Sequence, residues 1–300
     1  MFLLIVFISC IIAPIKKVPL DFMLEKTGFM AETVDYENGV YDFGKVMRRI
    51  MMVVALIVFI VFRKSLRFGT LISSALKIRP GFFRQFLLGL SMAVLSILIY
   101  YGIGLISGAW VIHLDYDSAG VIILKIVEYA LIACLIGVME EIFFRGFLLQ
   151  SFMENMSVPM AVCVCSLIYS VLHFFSADVF VSTGFQPSVG FVTMAQFFKP
   201  LFFHLVKHLP AIIGLFLVGV VLSYAFIRTK SLYLSIGLHS GMVFMVKADS
   251  MFLSRIREKL GWLFGGDSKL ITGVLIWFFL ICILIVIRKI YSDSYNYGKI

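Results

Sequence analysis

Residues 121–149 read VIILKIVEYALIACLIGVMEEIFFRGFLL. Up to Met139 the only charges are Lys125 and Glu128. The run is long enough to cross a hydrocarbon core of about 30 Å, which takes roughly 20 apolar residues. Glu140, Glu141 and Arg145 then interrupt it while Ile, Phe and Leu continue around them. Ionisable groups at such depth are costly, so they pair, face a water-filled cavity and mark function. One stretch thus predicts a transmembrane helix and a functional cluster inside it.

Composition extends the first conclusion to the whole chain. Of 300 residues, 61% are hydrophobic and 14% charged, with a mean hydropathy of +1.04. Soluble domains run closer to about 45–50% and about 25%. Apolar runs at 2–15, 47–62, 85–107, 121–154, 157–176, 210–227, 231–246 and 270–287 predict an all-α polytopic membrane helical bundle of about eight transmembrane helices. The runs are continuous rather than alternating, which excludes a β-barrel. The segment MFLLIVFISCIIAPIKK lacks a basic leader and reads as a first span rather than a cleaved signal peptide.

The net charge of +9 comes from basic residues beside these spans. Their expected partners are lipid headgroups of the bilayer, not nucleic acid. Segment 63–84 carries six Lys or Arg and no acid, which places it in the cytoplasm; 16–46 suits the opposite side. Segment 247–269 carries an excess of basic residues yet falls outside on this alternation. The chain divides into an N-terminal membrane and juxtamembrane region (1–115), a core (116–250) and a C-terminal helix with its tail (251–300). Segment 177–209, broken by Gly184, Pro187, Gly190 and Pro200, is expected to lie in the interface or re-enter it. The five cysteines lie in apolar segments without CxxC spacing, so neither a disulfide framework nor a structural zinc site is expected.

Helical arithmetic then relates three sites. Ser157 and Pro159 mark the start of a helix, so 155–158 is expected to be a tight turn. Glu140 lies about 21 Å before that turn and His173 about 22 Å after it, at 1.5 Å per residue. Both therefore reach one depth on adjacent antiparallel helices. His239 follows the Arg228–Lys230 turn by only about 12 Å, leaving an offset of about 9 Å unless the first hairpin projects two extra turns. Glu141 and Arg145, four apart, face each other and are expected to pair. Glu140 points about 100° away and stays available for chemistry. A Glu–His pair around one water is a general-base arrangement for hydrolysis. The alternative is a purely structural ion-pair cluster. Gly237 and Gly241 suit close helix packing beside His239.

Two other features read differently. His204 and His208 form H-x-x-x-H, but Leu205 stands where a metalloprotease helix needs Glu, so headgroup contact is expected there. Lys125 and Glu128 are expected to pair or to reach toward the interface.

EEIFFR (140–145) resembles the E-E-x-x-x-R signature of the CAAX protease and bacteriocin-processing (Abi) family of intramembrane endopeptidases. YSVLH (169–173) is similar to its F-x-x-x-H motif, and SIGLHSGMVF (235–244) to its G-x-H-x-x-x-N motif. The resemblance covers about 121–246 and extends to the type II CAAX prenyl endopeptidase. It implies an eight-helix bundle with a cavity open to the cytoplasm. It also implies that Glu140 and His173 activate water, that Glu141 and Arg145 hold the site, and that His239 stands where an oxyanion needs a donor. A Glu/His/His set could hold zinc, but the resemblance favours a glutamic mechanism with no cofactor. Tyr169 stands for the usual Phe, and Val243 for the usual Asn.

The expected function is hydrolysis of a peptide bond in a membrane-associated protein or peptide, in a bacterial inner membrane. A non-catalytic scaffold or immunity protein on the same fold is the alternative. A proton-coupled transporter ranks last, because the chain shows no repeated halves.

Overall fold

The computed structural model describes residues 80–292 except 114–117, 174–178, 183–185, 204, 256–259 and 267–269. It also describes 6–12, 34–35, 40–44, 47, 50–51, 54 and 75–78. In chain order the elements are β1 (Val34–Asp35), β2 (Val40–Asp42), α1 (Phe82–Ile106), β3 (Trp110–Ile112) and α2 (Ala119–Glu141). A π-helix, Ile142–Leu149, and an α-helical turn, Gln150–Met153, continue α2. Then come α3 (Val158–Leu172), β4 (Phe180–Ser182), α4 (Val189–Phe203), α5 (Leu205–Thr229), α6 (Tyr233–Phe252), β5 (Leu253–Arg255) and α7 (Val274–Ile290). Phe82–Ile106, Ala119–Met153 and Val206–Thr229 are each long and apolar enough to cross a membrane, and Val158–Leu172 is a shorter apolar helix. The chain is a helical membrane protein.

The chain forms two compact units. One comprises 1–68 with 171–209, the other 69–170 with 210–300. In the first, β2 pairs antiparallel with both β1 and β4, and Phe43, Met47, Val179, Val189, Met194 and Phe197 build a small core with Cys10. Segment 177–209, expected to be broken, contains the fifteen-residue helix α4 and strand β4. The breakers Pro187 and Gly190 fall at the start of α4, where a helix tolerates them. The expected span 47–62 lies mostly outside the described residues, and of 2–15 the described part, 6–12, is helical.

In the second unit α6 is central. Residues Leu234–Gly241 are all buried, as befits a helix covered on every side. Its closest partner is α1. A Cβ on Gly89 would overlap the Leu234 carbonyl and approach Leu238 N to 2.8 Å, and one on Gly237 would overlap the Phe86 carbonyl and approach Leu90 N to 2.9 Å. Only glycine permits backbones to meet this closely. Gly137 of α2 seats the Ser240 hydroxyl of α6 in the same way. The ribbon β3–β5 closes one end, where Tyr101 donates to Asp249 Oδ2 at 2.7 Å and Tyr100 to the Phe264 carbonyl at 2.6 Å.

Several boundaries depart from expectation, among them the following. α5 begins at Leu205 and contains Pro210, the expected start of that span. A proline that early forfeits one backbone bond while the helix continues. α6 runs six residues beyond 246, to Phe252. α3 stops at Leu172 rather than 176, although the sequence runs on as His173-Phe174-Phe175 without any breaker.

Candidate active site

The cluster grows from the junction at Glu141, where α2 changes from α to π winding. A π turn closes i→i+5 rings and so packs more residues into each turn. Glu154 follows Glu140 by fourteen positions, and eight of the residues between them, 142–149, are wound this way. The uniform 1.5 Å rise behind the predicted offset of about 9 Å is therefore only approximate here. His239 reaches both glutamates, and the continuous helix Ala119–Met153, 35 residues long, is longer than a bilayer needs.

Arg145 is fully buried and donates through Nη1 to Glu141 Oε1 at 2.6 Å. Its Nη2 donates to the Gly219 carbonyl of α5 at 3.2 Å. The guanidinium carbon lies 4.8 Å from the centre of the Tyr169 ring. A buried guanidinium needs such an enclosure of acceptors and aromatic faces. Gly219 makes the approach geometrically feasible: a Cβ there would stand 2.9 Å from Ser166 Cα and 2.8 Å from Ser166 Cβ on α3.

His239 Nδ1 lies 2.9 Å from Glu141 Oε1, and its Nε2 lies 3.7 Å from Glu140 Oε2. An ionised carboxylate only accepts, so the first contact places the Nδ1 proton toward Glu141. The second is too long for a direct hydrogen bond and suits a bridging water. The two glutamates differ in access: the Glu141 side chain is 0% exposed and that of Glu140 23%. Tyr169 packs edge-on against His239, ring centres 6.2 Å apart, and against Phe144 at 4.9 Å. One aromatic ring thus touches the histidine, the arginine and the π-helix.

Of the five residues singled out in the sequence, Glu140, Glu141, Arg145 and His239 assemble in the second unit. His173 lies in the turn after α3, exposed, and belongs to the first unit. The expectation that it sits within a helix is corrected by the stop at Leu172. Val243, one turn beyond His239, is half-buried and offers no polar atom. Among the described residues, no three His, Cys, Asp or Glu side chains form a group able to hold a metal ion. His204 lies outside the described residues, and His208 is half-buried on α5. Lys125 and Glu128 do pair, at 3.1 Å on an exposed face. Sequence reasoning missed Gly219. Its signal was the spacing of Gly219 and Ser223, two small residues four apart on an apolar helix.

Residues 122–245, from α2 through most of α6, match a family model described as Rce1-like, type II CAAX prenyl endopeptidase Rce1-like. This segment is thus similar to the CAAX protease family. The match contains all five singled-out residues together with Tyr169 and Gly219. No curated protein and no solved structure matches the chain. Family and apolar helices together support a CAAX-type intramembrane protease with a membrane-associated substrate.

Proposed function

We propose that the chain is an endopeptidase that cleaves a membrane-associated protein by a glutamic mechanism, with Glu140 as general base. The observation that carries this reading is the unequal sharing of His239 by two adjacent carboxylates. Glu141 is committed to Arg145 and to Nδ1, whereas Glu140 is partly exposed and stands 3.7 Å from Nε2, so that one water can lie against both groups. Glu140 takes a proton from that water while the oxygen adds to the scissile carbonyl carbon. The C–N bond then breaks and the departing amine takes the proton from Glu140. His173, through its place in the family motif, assists in activating the water.

His239 Nε2 donates to the tetrahedral oxyanion. With Nδ1 already donating to Glu141, this role requires the imidazolium form. Two carboxylates, one guanidinium and one imidazolium then sum to zero, which suits a cluster in low dielectric. The proposed setting is a bacterial inner membrane with the site open to the cytoplasm, and the mechanism needs no metal.

The test compares new protein termini in membranes of cells expressing the wild type or Glu140→Gln at equal levels. Termini that vanish only in the variant identify the substrate and the base. Val243 favours a second reading, a non-catalytic scaffold, because an apolar side chain occupies the position of the family's usual amide. Identical termini in both strains would establish it.

A further inference from the structure

Another feature lies on the outer face of α1. Phe83, Leu87, Leu90, Val94 and Ile290 line an open groove of about 760 Å³, with Arg84 at one end. Its volume falls in the range of roughly 300–1,000 Å³ typical of small-molecule sites. From Phe83 to Val94 the helix rises about 16 Å, half the roughly 30 Å thickness of a hydrocarbon core. The one hydroxyl in the floor, Ser91, donates to the Leu88 carbonyl of its own helix at 3.0 Å. The groove wall therefore asks for an apolar occupant one leaflet long.

The end of the groove asks for a negative charge. Ile290 brings the C-terminal turn of α7, with exposed Arg288 and Lys289, to the Arg84 end. Tyr291 lies within the electrostatic reach of Arg84, and Arg228 of α5 donates to the Tyr291 carbonyl. Four cations thus gather where α1 begins and where α5 and α7 end. Basic clusters at this depth recognise anionic headgroups.

We propose that this groove binds one anionic phospholipid of the surrounding leaflet, its acyl chain along α1 and its phosphate at Arg84. The lipid site stands whether or not the chain is a peptidase. The full chain, purified and delipidated, would be reconstituted in nanodiscs of phosphatidylglycerol or phosphatidylcholine and its retained lipid counted by native mass spectrometry. One phosphatidylglycerol per chain should be retained in preference to phosphatidylcholine. Arg84→Gln should weaken that retention about fivefold, the effect of one basic residue at an anionic surface, while Arg84→Lys preserves it. Leu87→Trp should fill the groove and exclude either lipid. Arg84 and Leu87 are exposed, so both variants should elute like the wild type. Equal retention of the two lipids, or retention unchanged in Arg84→Gln and Leu87→Trp, would overturn the assignment. So would displacement of the phospholipid by a lipidated peptide, which would make the groove a substrate-anchor site.

Discussion

Glu140 and Glu141 are chemically identical neighbours with opposite tasks, and a pair of substitutions separates them. Glu140→Gln should abolish cleavage while leaving thermal stability near that of the wild type, because its carboxylate is partly exposed. Glu141→Gln should instead lower the melting temperature of the detergent-solubilised protein. It leaves Arg145 buried without its carboxylate, a loss of about 3–5 kcal/mol. If both variants lost stability equally, Glu140 would be structural as well. A third substitution addresses Val243. Val243→Asn returns an amide one turn from His239 and should raise kcat about tenfold or more, given that one oxyanion donor typically contributes about 10²–10³. An unchanged rate would mean that the oxyanion does not lie on this face of α6. At this scale the sequence was partly legible. The spacing of Glu141 and Arg145 announced their pairing, because i,i+4 neighbours meet on any helix. The contact of His239 with both glutamates was less legible, because a depth counted along each helix does not say which faces meet.

Helices in this bundle are held by what their glycines omit. Gly219 lets α5 rest on Ser166 of α3 and puts its carbonyl on Arg145. Gly219→Ala should therefore cost about 1–3 kcal/mol of stability through overpacking and also lower kcat, since Arg145 and through it Glu141 would shift. Adding Ser166→Gly should recover part of both losses. It removes the serine side chain, whose first carbon would lie 2.8 Å from the new methyl, but leaves the backbone carbon at 2.9 Å. Melting curves and kcat of the single and double variants measure this directly. A double variant no better than Gly219→Ala would dissociate the packing from the arginine. The existence of the long apolar helices was easy to read, since runs of this length have few other structures open to them in a membrane, whereas α4 lay in a stretch that its Pro and Gly residues made look broken. Helix ends were not. Leu172 ends α3 inside an apolar run, and Pro210 fails to start α5, because both outcomes depend on neighbouring elements rather than on local propensity.

For the second unit as a whole, the helices converge at a common basic end. The Leu232 amide donates to the Ala75 carbonyl at 3.1 Å and Tyr233 to the Leu76 carbonyl at 3.0 Å, so the segment before α1 meets the turn between α5 and α6. Arg228 ties that turn to the end of α7. Lys77, Arg84, Arg228, Lys230, Arg288 and Lys289 therefore share one end, an asymmetry that the positive-inside rule assigns to the cytoplasm. The short strands β1, β2, β4 and the ribbon β3–β5 were invisible beforehand, since two- and three-residue strands carry no periodicity. The convergence was legible only as scattered charge. Single cysteines placed at Asn155, Ile78 and Lys289, in a background without the five native cysteines, test it with a membrane-impermeant maleimide. All three should react in inverted vesicles and stay silent in intact cells, whereas Ser118→Cys, at the start of α2, should do the reverse. Reaction of Ile78→Cys and Lys289→Cys from opposite sides would contradict the hydrogen bonds that join those ends. A uniformly inverted pattern would leave the bundle intact but place its basic end outside, and a cytoplasmic substrate could no longer be sought.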